Sequence, residues 1–89
     1  MELINQSFSG PVSKDETSGW TCVFWHDSVA ALGTGKTVKV TCSIDSHSLD
    51  VTLMPSGKGS HFVPLNAANR KLIGKDIGDT VNVTIQSKR

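Results

Sequence analysis

Long apolar runs are missing from this 89-residue chain, and no stretch approaches the roughly 20 residues that a membrane-spanning helix needs. The opening Met1-Glu2-Leu3-Ile4-Asn5-Gln6 has no cationic start and no apolar core, so a secretory leader is not expected. Cysteine is scarce: Cys22 and Cys42 stand alone with no CxxC spacing, and without an export signal they read as reduced, small apolar side chains. An excess of either charge is lacking as well. Nine basic and eight acidic side chains leave a formal charge of +1, with no long block of one sign. Phosphate neutralisation supplies most of the affinity of nucleic-acid coating proteins, so this balance argues against that role. The expectation is a soluble, cytoplasmic domain, a monomer or weak dimer, with no membrane partner and no cofactor.

What is present is period-two patterning. One domain of this length buries about 60–65% of its unfolded surface, enough for a single core. "TVKVTCSI" sets Val38, Val40, Cys42 and Ile44 against Thr37, Lys39, Thr41 and Ser43, as a half-buried strand does. "LDVTL" and "TVNVTI" alternate in the same way, and the polar "DSHS" between Ile44 and Leu49 fits a hairpin turn. Two segments read as helices of about two turns, too short to stand alone. "HDSVAAL" offers Asp27 or Ser28 as N-cap and Gly33 as a stop; "NAANRKL" offers Asn66, late cations at Arg70 and Lys71, and Gly74.

The two halves also resemble each other. Val23, Trp25 and Leu32 fall on Val63, Leu65 and Leu72. After a three-residue insertion, Gly35, Thr37, Val38, Val40 and Cys42 fall on Gly78, Thr80, Val81, Val83 and Ile85, while Phe8 and Val12 fall on Leu49 and Leu53. The chain thus reads as one domain, residues 1–89, made of two strand–strand–helix–strand units at about 3–44 and 45–87. The expected fold class is mainly β, a small closed or partly closed barrel with two short helices. Closure would remove the strand edges that invite aggregation.

Four pieces in order carry a resemblance to a known family: Gly19-Trp20, "VTLMPSGKGSHFVPL", "NRKLIG" and "GDTVNVTI". Together, over about residues 6–86, the chain resembles the bacterial domain of unknown function 1905. The resemblance implies a double-split β-barrel, an architecture shared with dimeric AbrB-type DNA-binding domains, here made by one duplicated chain. It implies no reaction. Some relatives carry a further C-terminal segment of bacteriocin-protection type, which this sequence does not contain, and "FWHDSV" stands where relatives have a proline-containing lead-in.

"GTGKT" invites comparison with a phosphate-binding loop, and fails it. G-x-x-x-x-G-K-[ST] requires glycine where Ala30 stands, and requires a strand before the loop and a helix after it; here the order is reversed. The aligned turn of the second half puts Asp79 where the first has Lys36, which makes a structural turn the better reading. "PSGKGSH" is a better anion-loop candidate because Gly57 and Gly59 flank Lys58, although glycines between strands also serve simply as a turn.

His26, His47 and His61 show no metal-ligand spacing, even with Cys22 and Asp27 added, and read as ordinary surface histidines, so no metal site is expected. Cys22 with His26 or His61 would be the pair for nucleophilic chemistry; no catalytic residue is assigned. "WTCVFW" is apolar on both faces: Val23 and Trp25 match core positions, leaving Trp20, Cys22 and Phe24 opposite, with Phe62 and Pro64 on the same face of the second unit. Such a face is either covered by the helices or forms a binding surface. The expected function is a non-catalytic module binding a protein or small ligand, with Trp20, Phe24, Lys58, His61, Phe62 and Arg70 as candidate contacts. The alternatives are a nucleic-acid-binding module, by fold analogy, with Arg70, Lys71, Lys75, Lys88 and Arg89 on phosphates, and a small enzyme using Cys22 or His61.

Overall fold

The structure, a computed structural model, describes residues 3–16, 18–57 and 59–89. In chain order it contains β1 (Leu3–Pro11), β2 (Ser13–Lys14), β3 (Thr21–Trp25), α1 (Ser28–Leu32), β4 (Val38–Ile44), β5 (His47–Gly57), β6 (Ser60–Pro64), α2 (Ala67–Ile73) and β7 (Thr80–Lys88). The strands form one antiparallel sheet in the order β1-β7-β4-β5-β6-β3-β2, curved into a half-barrel.

Alternation decides which face is buried. In β4, Val38, Val40, Cys42 and Ile44 point into the core while Lys39 is exposed; in β7, Val81, Val83 and Ile85 do the same between Asn82 and Thr84. Each fully buried aliphatic side chain of this kind contributes about 1.5–3 kcal/mol relative to exposure. The "DSHS" turn narrows to two residues, Asp45 and Ser46, with φ of 47° and 75° between the paired Ile44 and His47. Positive φ at both central positions is the turn whose twist matches a hairpin. Asp45 also ties the turn to β7: its N–H donates to the Asn82 carbonyl and its Oδ1 accepts from the Asn82 N–H, both at 2.9 Å.

Two strand paths change partner along their length. β5 pairs with β4 from His47 to Leu53, then with β6 from Met54 onward. β1 pairs with β7 as far as Pro11, the chain bends at the buried Val12, and β2 pairs with β3. The stacked rings of Phe8 and Trp25, 5.2 Å apart and inclined by 4°, bring β1 against β3 across the interior.

Both helices stop on a left-handed glycine, Gly33 (φ 74°) and Gly74 (φ 70°). Asn66 caps α2 through its side chain, accepting from the Asn69 N–H at 2.8 Å. The first helix departs from expectation. Asp27 occupies the N-cap position without a capping bond, and the hydroxyl of Ser28 is directed to His61 instead.

Candidate functional site

The pocket around Trp20 forms where β5 leaves β4 to join β6. From Asp50 to Leu53, β5 has β4 on one side and no paired strand on the other among the described residues. The gap is a concave pocket of about 450 Å³. Asp50, Val51, Thr52 and Met54 of β5 form one wall, Trp20 and Thr21 a second. Pro64 and Leu65 close its base, and Asn66 and Asn69 stand at the start of α2. Ligand pockets for small molecules span roughly 300–1,000 Å³ and combine apolar walls with a few polar groups, and this one has that size and mixture.

Trp20 is held although it is 47% exposed. Its ring lies 6.0 Å from that of Phe62 at an interplanar angle of 56°, and Phe62 meets Phe24 edge-on at 5.9 Å. Phe24 in turn stacks on His26 at 6.1 Å. These rings form a second apolar cluster on the outer face of β3 and β6, separate from the core. Met54 pairs opposite Phe62 and extends that face to the pocket. Phe62 is buried beneath its neighbours, Phe24 is half-buried and Trp20 is the exposed member.

Among the described residues, Asp50 brings the one formal charge in the lining. The Thr41 hydroxyl donates to its Oδ1 at 2.9 Å across the β4–β5 pair, which fixes the carboxylate on the strand surface.

His61 lies elsewhere, fully buried on the inner side. Its Nε2 is 2.8 Å from the Lys36 carbonyl, which can only accept, so Nε2 carries the proton. Its Nδ1 lies 2.5 Å from the Ser28 hydroxyl, which is also buried. Sequence reading placed all three histidines at the surface; this one is interior because both ring nitrogens find partners, as a buried polar group requires. It pins α1 and the turn after it onto β6. The "GTGKT" turn therefore has a role carried by its backbone: the Lys36 carbonyl anchors His61, while its side chain is exposed.

Cys22 and Cys42 are free and buried on opposite faces of the sheet. Burial pushes each thiol up to about 11, with Asp15 adding to the effect at Cys22 and Asp50 at Cys42. A nucleophilic cysteine needs the opposite shift. Among the described residues, no group of three His, Cys, Asp or Glu side chains is placed to hold a metal ion.

Arg70 is half-buried on α2 and is not part of the lining beside Trp20: its Nη1 donates to the Leu65 carbonyl at 2.7 Å and its Nε lies 3.5 Å from Asp76. It lines a shallower cavity of about 500 Å³ with Lys71, Lys75, Asp76 and Asp79, where both signs of charge are mixed. Lys75 lies 4.0 Å from Asp45, and Arg89 donates to the Val40 and Val51 carbonyls. Lys58 lies outside the described residues. Of the sequence candidates, Trp20 lines the pocket and Phe24 and Phe62 support it, while His61 and Arg70 are placed elsewhere. Asp50, Met54 and Asn69 carry no site motif in the sequence, and Asn66 reads there only as a helix cap. Strand parity in "LDVTLM" puts Asp50, Thr52 and Met54 on one face, and that signal marks the wall without revealing the gap beside it.

Compared with known families, residues 8–85 match the one described as Domain of unknown function (DUF1905). No curated protein matches the chain. No helix among the described residues is long and apolar enough to cross a membrane.

Proposed function

The chain belongs to the DUF1905 family, a domain of unknown function, and from that premise we propose that it is a non-catalytic module binding a small ligand in the pocket beside Trp20. The observation that carries this reading is a large, exposed aromatic ring, braced from below by Phe62, at the rim of a 450 Å³ pocket with an apolar base. Exposed tryptophan supplies much contact area with little conformational freedom to lose, and the buried ring beneath keeps it in place. The non-catalytic part draws support from the thiols and His61, all buried and either held protonated or bonded at both ring nitrogens. A bacterial, cytoplasmic setting accords with the family resemblance and with two free thiols.

The finer reading of the fold is a closed, duplicated barrel, and the strand registers support it. Val23 pairs with Val63 in β3–β6, and Cys42 pairs with Ile85 in β4–β7. Both are the residue pairs that align between the two halves, as a pseudo-twofold axis through each strand pair would produce. Continuity of β1 and β2 through Val12 would close the ring, with β7 on one side of that path and β3 on the other.

A fragment screen by amide and indole NMR tests the function. Binding fragments are expected to shift the Trp20 indole together with Thr21, Leu65 and Asn69, and Trp20→Ala is expected to weaken them by tenfold or more. A library that leaves these signals unmoved, or low-salt duplex DNA that binds across Arg70, Lys71 and Lys75 instead, would overturn the reading.

A further inference from the structure

We infer that the pocket beside Trp20 selects organic cations bearing an apolar body, an inference that rests on the binding-module reading and narrows it to a ligand class. Among the described residues, Asp50 is the one charged side chain in the lining, and it is negative. Its Oδ1 accepts from the Thr41 hydroxyl, so the carboxylate is oriented before any ligand arrives. Trp20 adds the electron-rich face of an indole, which attracts a cation within about 6 Å of the ring centre. The two features act in the same direction on charge, while Val51, Met54, Pro64 and Leu65 offer apolar surface to the rest of the ligand.

Several features that would favour an anion have partners of their own. Asn69, at the start of α2, donates its backbone N–H to the Asn66 side chain. The Arg70 guanidinium turns to the Leu65 carbonyl and Asp76. Arg89 reaches β5 and Lys39 of β4 pairs opposite Thr52, yet the Arg89 guanidinium is bonded to the Val40 and Val51 carbonyls and neither side chain is part of the described lining. Among the described residues, Thr21, Thr52, Asn66 and Asn69 complete the polar lining with neutral side chains, so the charge an anionic ligand would meet in that lining is the Asp50 carboxylate.

Three probes of one shape separate the possibilities: 2-phenylethylammonium, 2-phenylethanol and 3-phenylpropanoate, titrated into the intact protein at low salt and read at the Trp20 indole and the Asn66 and Asn69 side-chain amides. The cation is expected to bind about five- to tenfold more tightly than the alcohol, the anion more weakly than either, and the preference to shrink at high salt. Asp50→Asn keeps the acceptor that Thr41 uses, so the fold should persist while the cation and alcohol become nearly equal. Equal binding of cation and alcohol to the unaltered protein would overturn the charge selection and leave the binding pocket standing. Failure of all three at several millimolar, or shifts confined to other regions, would overturn the pocket itself.

Discussion

The buried bridge Ser28–His61–Lys36 links three segments that are distant in sequence, and its removal gives a measurable test of how α1 is held. His61 has no exposed surface, and neither does Ser28. In the His61→Ala variant the imidazole is lost, the Ser28 hydroxyl loses its partner, and the Lys36 carbonyl loses its donor. An unsatisfied buried polar group costs about 1–3 kcal/mol. Lys36 is exposed, so water can reach its carbonyl and that part falls at the low end. With the void left by the ring, the expected loss is about 2–4 kcal/mol, against a total of about 4–13 kcal/mol for a domain of 89 residues. Ser28→Ala removes one bond only and should cost about 1–2 kcal/mol, which keeps the test readable if the larger truncation does not fold. Urea unfolding followed by the fluorescence of buried Trp25 measures each change. The double variant should show a coupling of about 1 kcal/mol, since both substitutions remove the same contact. Hydrogen exchange at Val29 and Gly33, whose amides bond to Gly59 and Val29, should accelerate before that of β4 or β7. Costs below about 0.5 kcal/mol, or strict additivity, would refute the bridge as the anchor of α1.

Lys36→Ala leaves the anchoring carbonyl in place and should change stability by less than about 0.5 kcal/mol and binding at the pocket not at all; a larger unfolding shift would mean the side chain matters. Ser46→Gly relieves a left-handed φ of 75° in the hairpin turn, with a net gain of about 0.5 kcal/mol after the added freedom of the unfolded chain, or about 2–4 °C in Tm; a fall in Tm would contradict it. Alkaline titration should destabilise the fold through its thiols. Cys42 is raised from its ordinary 9.0 to about 11 by burial, then by Asp50, so the folded state holds the proton more tightly. Its contribution is complete below pH 9 and is lost as pH climbs from 9 towards 11, at most about 2–3 kcal/mol. Cys22, raised from 9.0 to about 11 chiefly by burial, shares that window. Cys42→Ala should flatten the slope measured by urea unfolding, and Cys22→Ala should flatten it further; a slope unchanged in both variants would refute the contribution of the thiols.

Much of the scaffold was legible because its signals are local. β4 and β7 announce their faces by alternation, and Asn66 and Gly74 bracket α2, the first through its side chain and the second through its left-handed backbone, each within one turn. His61 was misread because burying an imidazole is tolerable only with two partners, and these lie 33 and 25 residues away. Parity counted from Val63 does place it inward; what was invisible was the acceptor and the hydroxyl waiting there. Apolar residues on both sides of β3 and β6 were likewise visible, whereas the division of that outer face into a buried Phe62 and an exposed Trp20 was not.

That division follows from where the pairing ends. β3 and β6 pair from Cys22–Pro64 to Trp25–His61, so Phe62 has a strand on each side, with Phe24 across one and Met54 across the other. Trp20 precedes the first paired residue and lies beyond the reach of that flanking. On the far side, β5 has not yet turned from β4 to β6, and the space a neighbouring strand would fill stays open. The same partner switch that lets one long strand serve two neighbours thus leaves the tryptophan uncovered and the pocket beside it unfilled. Alternation along any single strand cannot report such a gap, because it is created by the registers of three strands together.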